Sequence, residues 1–245
     1  MSDSLRFLVI PYGTFLFKYR NAVFPLLLVV LLVAFTPGHP LGHHREFWLD
    51  ALGLLVAGVG QGLHVVVLGW ATIKRGGVNK HLHADGLLTE GAFAHCRNPL
   101  YLGNLFILCG LFILYNNCWV YVLGSLFFLT AYGAIVAAEE AFLGEKYGTD
   151  YEAYCHRVNR WWPSLRGVGR TITSRPFSWR RIIAKDYASA YNWMAVAILL
   201  LADKSWRWSP SRALTPYLIG LSILTTGCLL ARYLKKCGHL GFTAE

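Results

Sequence analysis

Leu100–Ala138 reads LYLGNLFILCGLFILYNNCWVYVLGSLFFLTAYGAIVAA, two apolar runs with no charged side chain, separated by Asn116-Asn117-Cys118. Apolar runs of this kind are membrane-helix candidates, and the asparagines between them read as a tight turn. The stretch therefore predicts a helical hairpin lying in a membrane.

Working outward, four further apolar windows appear: Ala22–Phe35 and Ala51–Ile73 before the hairpin, Tyr187–Ala202 and Leu214–Ala231 after it. With Leu100–Tyr115 and Trp119–Ala138 they make about six transmembrane helices. The first, third and fifth are short for a hydrocarbon core of about 30 Å, so tilt or interfacial ends must help. Composition agrees: of 245 residues, 55% are hydrophobic and only 15% charged, where a soluble domain carries about a quarter charged. A soluble enzyme, a disordered chain and a coiled coil are excluded on this ground. The expected fold is all-α, a polytopic helical membrane protein, with residues 1–245 forming one membrane domain.

The basic residues set an orientation. Net charge is +10, and nineteen of the 23 Lys and Arg fall in the N-terminal segment, the second-to-third loop, the fourth-to-fifth loop and the C-terminal tail. Only Arg45, Lys204, Arg207 and Arg212 fall on the opposite side. That asymmetry predicts an integral membrane protein with both termini cytoplasmic. Lys18 and Arg20 precede the first apolar stretch without a small-residue cleavage site, so no cleavable signal is expected. The six cysteines include no Cys-x-x-Cys pair, which indicates neither zinc nor a disulfide framework.

Two predicted cytoplasmic stretches carry the polar chemistry. His81–Gly103 reads HLHADGLLTEGAFAHCRNPLYLG and leads into the third span; Glu139–Pro163 reads EEAFLGEKYGTDYEAYCHRVNRWWP and follows the fourth. Because those spans form a hairpin, the two stretches lie side by side, and a polar pocket at its cytoplasmic mouth follows. Glu139 and Glu140 either form a solvated helix end or act as a pair. Carboxylates oppose the macrodipole at a helix C-terminus, so this placement is costly. About 100° apart on a helix, they can face different targets, one a cationic ligand and the other Arg97 or Arg160. Pro99 suits the first turn of a helix. Asn98 reads as its cap or as a site residue, and Arg97 as a topological anchor or a site residue. Tyr101 and Gly103 follow in the first turn, where Gly permits close approach of a ligand or a helix. Tyr151, Tyr154 and Val158 share a helical face, the pattern of packing or of an interfacial helix. Arg157 and Arg160 share another face, and Trp161-Trp162-Pro163 ends the stretch as an interface anchor.

The order of these motifs resembles the isoprenylcysteine carboxyl methyltransferase and phospholipid methyltransferase superfamily. It comprises a Gly-rich turn, Arg97-Asn98-Pro99-x-Tyr101-x-Gly103, an apolar hairpin, Glu139-Glu140, then Tyr147-Gly148-x-x-Tyr151-x-x-Tyr154 and a basic-Pro ending. The resemblance covers roughly 51–163. It implies an integral-membrane methyltransferase that uses S-adenosylmethionine without a Rossmann domain, with the cofactor at the cytoplasmic end of the hairpin and a lipophilic acceptor entering from the bilayer. It implies that Arg97, Asn98, Pro99, Tyr101, Gly103, Glu139, Glu140 and Tyr151 bind the cofactor. Glu139, Arg157 and Arg160 are the expected catalytic residues: a carboxylate to take the proton of an amine acceptor, or a cation to orient a carboxylate acceptor. The family's Gly-Pro-Tyr is Gly91-Ala92-Phe93 here, and its histidine before the proline is Asn98. Both departures shift the expected acceptor from prenylcysteine toward another lipid. Residues 164–245, a basic linker and two more spans, lie outside the resemblance.

Other signals are weaker. Gly58-Val59-Gly60-Gln61-Gly62 lies mid-span, so Gly58 and Gly62 read as a small-xxx-small helix contact, and Gln61 with His64 as an interhelical hydrogen-bonding pair. His39, His43 and His44, and likewise His81, His83 and Asp85, are read as loop residues; no metal is expected. The basic, tryptophan-bearing stretch Cys155–Lys185 reads as an interfacial segment on anionic headgroups, not as a nucleic-acid surface. Two rival classes stay open: a membrane sterol or isoprenoid reductase using NADPH, which Asn98 and Tyr101 also suit, and a non-catalytic membrane scaffold.

Overall fold

The computed structural model describes residues 3–38, 43–70, 84, 86–174, 177–208 and 213–239. His39, His81, His83 and Asp85 lie outside the described residues, as do the side chains of His43 and His44. Regular structure among the described residues is helical: α1 Asp3–Ala34, α2 His43–Trp70, α3 Pro99–Tyr115, α4 Ser125–Arg157, α5 Val168–Ser174, α6 Trp179–Trp208 and α7 Thr215–Lys236. A 3₁₀ turn at Gly91–Ala94 and a π-helical turn at Val120–Gly124 complete it. The chain is an all-α polytopic membrane protein.

Each expected span is helical over its described residues, and most helices outrun their windows. α1 begins at Asp3 instead of Ala22 because the apolar residues before Lys18 and Arg20 continue the same helix. Among the described residues, four helices combine the length and apolarity of a membrane crossing: Phe7–Ala34, Arg45–Trp70, Val120–Arg157 and Thr215–Lys236. α3 has 17 residues, about 26 Å at 1.5 Å per residue, short of a core of about 30 Å. α6 extends back to Trp179 through Arg180, Arg181, Lys185 and Asp186, so its apolar window is confined to its middle. Asn116 closes the predicted turn with φ of 51°, a left-handed conformation that asparagine tolerates.

The chain divides into two compact units that interleave in sequence: Met1–Thr36 with Ala71–Leu102 and Trp119–Arg175, and Pro37–Trp70 with Gly103–Cys118 and Pro176–Glu245. In the first, α1 packs on α4. Leu16 and Phe17 meet Ala131 and Ile135, and Phe24 stands edge-on to Phe128 and Tyr132 at 5.3 Å between centroids. α4 kinks at Gly148, whose φ of 49° and ψ of −123° suit only glycine. Its last turn then carries Tyr151 and Tyr154 into a cluster with Val158, Leu87, Leu143 and Tyr147, the packing role expected of that face.

In the second unit, glycines set the contact between α2 and the part of α3 from Gly103 onward. A methyl added at Gly103 would stand 2.6 Å from His64 Cδ2 and 2.9 Å from the Gly60 carbonyl oxygen. One added at Gly53 would stand 2.8 Å from the Gly110 oxygen. Gly53 and Gly60 are seven residues apart, as are Gly103 and Gly110, so two turns bring each pair back to one antiparallel seam. The expected contact through Gly58 and Gly62 is therefore corrected: both face open space. Gln61 and His64 do form the expected interhelical bonds, to Asp186 of α6: Gln61 Nε2 donates to Oδ2 at 2.5 Å, and His64 Nδ1 lies 3.1 Å from Oδ1. Trp193 Nε1 donates to Gln61 Oε1 at 2.8 Å. At the far end of the same seam, buried Lys204 of α6 pairs with Asp50 at 2.5 Å and Glu46 at 2.8 Å on α2. α7 buries no residue and leaves Leu218, Ile219, Ile223, Leu229 and Leu230 exposed, the surface of a helix whose solvent is lipid.

Candidate active site at the start of α3

The two polar stretches meet within the first unit, and backbone bonds tie them. Arg97 N donates to the Asn159 carbonyl at 2.9 Å, and Ser164 N to the His95 carbonyl at 2.9 Å. His95 adds its ring: Nδ1 lies 2.7 Å from the Ser164 carbonyl and Nε2 lies 2.8 Å from Thr171 Oγ1. Tyr154 Oη donates to the Phe93 carbonyl at 2.7 Å, and Lys146 and Tyr147 both reach the Ala84 carbonyl. Cys96 is buried with its Sγ toward the carbonyls of Arg160 and Trp161. Burial pushes its thiol up from the ordinary range, so it fills space instead of attacking.

This clasp delivers three side chains to Glu140. Arg160 donates from Nε to Oε2 at 2.9 Å and again from Nη2. Arg97 Nη1 stands 3.5 Å from Oε1, and Asn98 Nδ2 donates to Oε1 at 3.3 Å. Asn98 Nδ2 also reaches the Arg160 carbonyl at 3.3 Å, and Arg97 Nη1 the Cys155 sulfur at 2.7 Å. Glu140 is thus an anionic hub. Burial pulls the Arg97 guanidinium down, but the Glu140 carboxylate together with Cys155 and Tyr151 outweighs burial and holds it above its ordinary value. Arg97 Nε is buried without a hydrogen-bond partner among the described residues, an unsatisfied charged donor.

Glu139 faces elsewhere, as the helical offset predicts. Its Oε1 accepts from Tyr101 Oη at 2.8 Å, and that phenol oxygen accepts in turn from Arg20 Nη1 at 3.2 Å. The structure therefore brings together Arg97, Asn98 and Arg160 on Glu140, and Tyr101 on Glu139. Pro99 opens α3 as expected. Tyr151 lies in the cluster with Tyr154 and Val158, beside Cys155. Gly103 faces Gly60 and His64 on α2; its close approach is to a helix. Arg157 and Arg160 do not share a helical face, because α4 ends at Arg157 and Val158 turns extended, with φ of −123° and ψ of 129°. Arg160 folds back to Glu140, while Arg157 stays exposed and donates to the Ala153 carbonyl of its own helix at 3.3 Å. Arg20 was missed as a site residue and read only as a topological charge. The signal was present: Gly13, Phe17, Arg20 and Phe24 fall on one helical stripe, and an arginine has no place in a purely apolar stripe.

Residues 51–150 match the phospholipid methyltransferase family, which belongs to the isoprenylcysteine and phospholipid methyltransferase superfamily. The chain is 24% identical over 155 residues to the nickel-cobalt-cadmium resistance protein NccN of Alcaligenes xylosoxydans xylosoxydans, covering 63% of this chain and 70% of that protein. It is 27% identical over 173 residues to the cobalt-zinc-cadmium resistance protein CzcN of Cupriavidus metallidurans, covering 69% of this chain and 76% of that protein. No solved structure matches.

Proposed function

We propose that the chain, which carries a membrane methyltransferase domain, transfers a methyl group from S-adenosylmethionine to a lipophilic acceptor, with both termini on the cytoplasmic side. The observation that carries this reading is the pair of adjacent carboxylates with separate partners: Glu140 locked by Arg97, Arg160 and Asn98, Glu139 turned toward Tyr101. The donor set fits the cofactor. Arg97, held by Glu140 and with its Nε unsatisfied among the described residues, suits the cofactor's carboxylate. When bound, S-adenosylmethionine supplies an electrophilic methyl whose bond to sulfur breaks, with the electron pair retained by sulfur, as the acceptor's lone pair forms the new bond.

The chain's own residues position and relieve charge. Glu140 fixes Arg97 and Arg160, so the binding face is assembled before a ligand arrives. Glu139 engages one oxygen with Tyr101 among the described residues, and takes the proton an amine acceptor must lose; a carboxylate acceptor needs no such step. The asymmetry of Lys and Arg between predicted loops supports the orientation. The two relatives are named for metal resistance. Among the described residues, no three His, Cys, Asp or Glu side chains stand together to hold a metal. In this reading any part in resistance runs through the modified acceptor.

Titration of the full chain in lipid nanodiscs with S-adenosylhomocysteine tests the assignment, and saturable binding is expected. Failure to bind overturns it, and displacement by NADPH moves the site to the reductase class. Glu139→Gln is expected to cut turnover on extracted lipid much more than cofactor affinity. Equal loss of both would remove Glu139 from the proton step.

A further inference from the structure

α1 lies outside the segment that matches the methyltransferase family, yet one of its side chains enters the candidate site. Arg20 sits between Phe17 and Phe24 on the face of α1 that packs against α4. Its guanidinium lies over the Phe17 ring, 4.3 Å from the centroid, and donates from Nη1 to Tyr101 Oη at 3.2 Å. Placing a guanidinium in an apolar stripe of a membrane helix is costly, and such charges are kept for a purpose. The contacts described for Arg20 are a phenol and a ring face; the Glu139 carboxylate lies within its electrostatic reach beyond Tyr101, and most of the guanidinium's donors are still open to a ligand. One of five guanidinium N–H donors is used among the described residues. Tyr101 stands between Arg20 and Glu139, with its oxygen bonded to both. The chain thus presents a cation, a hydroxyl and a carboxylate in sequence, the complement of a molecule with an anionic group a few bonds from an amine.

We propose that Arg20 is an acceptor-specificity residue: it binds an oxyanion of the acceptor, a phosphate ester or a carboxylate, on the Tyr101 side of Glu139. The inference rests on the methyl-transfer reading. Arg20 positions the acceptor and takes no part in making or breaking bonds. A guanidinium holds an oxyanion through paired N–H donors, which lysine cannot reproduce.

The test uses the full chain in nanodiscs with three methyl acceptors: a long-chain phosphoethanolamine lipid, a prenylcysteine analogue and an uncharged-tail alkylamine of matched chain length. Arg20→Gln keeps a donor for Tyr101 and removes the charge; Arg20→Lys keeps the charge without the fork. For whichever anionic acceptor the wild type methylates, R20Q is expected to raise KM roughly 10- to 100-fold, the worth of a charge-assisted hydrogen bond. R20K is expected to fall between the two. KM for the alkylamine and affinity for S-adenosylhomocysteine stay within about twofold of wild type. The phosphate and carboxylate arms tell which oxyanion is read. Equal loss on all three acceptors, no change on any, lost S-adenosylhomocysteine binding in R20Q, or a wild type that binds the cofactor product but methylates neither anionic acceptor each overturns the assignment of Arg20. A wild type that binds no S-adenosylhomocysteine removes the methyl-transfer reading itself.

Discussion

Replacing Glu140 with glutamine probes the anionic hub with little change of shape. The amide oxygen still accepts one hydrogen bond, but two guanidiniums lose their counter-charge. The two losses differ in size. Arg97 is 16% and Glu140 11% exposed as side chains, and breaking a buried ion pair costs about 3–5 kcal/mol. Arg160 is 44% exposed, where a pair is worth about 0–1 kcal/mol. Arg97 keeps its bond to Cys155 and the glutamine keeps a partner, so the net cost falls near the lower end of the buried figure. We expect about 2 kcal/mol of this to appear in binding, because in the proposed reading Arg97 is no longer held in place for the cofactor's carboxylate; that is roughly a 30-fold rise in Kd for S-adenosylhomocysteine. The control is Glu145→Gln, a few residues along the same helix, exposed and outside the hub, with an expected change below about 0.5 kcal/mol. Isothermal titration of both variants in nanodiscs reads the difference. Equal affinities refute the reasoning, as does a lowered melting temperature in E140Q with unaltered binding, which would make the hub a structural tie alone.

The other predictions concern the frame. Gly103→Ala places a methyl against buried His64 and the Gly60 carbonyl and should cost about 1–3 kcal/mol, whereas Gly58→Ala meets open space and should be neutral or slightly stabilising; thermal unfolding in detergent separates them. Gly148→Ala forces a side chain onto a φ of 49° and should cost about 1–3 kcal/mol, read by the same assay. Lys204→Ala strands Asp50 and Glu46 and should cost about 3–5 kcal/mol; Lys204→Ala combined with Asp50→Asn should recover part of that loss.

Helix positions were legible because lipid imposes a long apolar run on anything that crosses it. Their ends were not, since charged residues such as Lys18 and Arg20 interrupt a hydropathy window without interrupting a helix. Glu140 with Arg97 and Arg160 could be read from the sequence because opposite charges in two adjacent stretches must find each other. The route by which Arg160 arrives could not: it depends on Val158 leaving the helix, a one-residue event that periodicity does not register. The glycine seam was misassigned for a related reason. Spacing of four and spacing of seven both return to one helix face, and only the partner helix, with Gly103 and Gly110, selects Gly53 and Gly60 over Gly58 and Gly62.

The spacing within Arg97-Asn98-Pro99-x-Tyr101 has a physical basis in the glutamate pair it meets. Pro99 cannot extend a helix backward with a backbone donor, so it fixes the start of α3 and leaves Asn98 just outside the first turn. Asn98 then reaches Glu140, and Tyr101, three positions on, reaches Glu139. Three residues along one helix start are therefore matched to two adjacent residues on another, and this match assigns each carboxylate its partner. A shift of one residue in either element would send Tyr101 to the hub or Asn98 to the acceptor side, leaving a guanidinium without its counter-charge. Glu139 and Glu140 thus differ in partners through register alone: Glu140 is held by Arg97, Arg160 and Asn98, and Glu139 accepts from Tyr101; in the proposed reading the first holds the binding face and the second takes the proton.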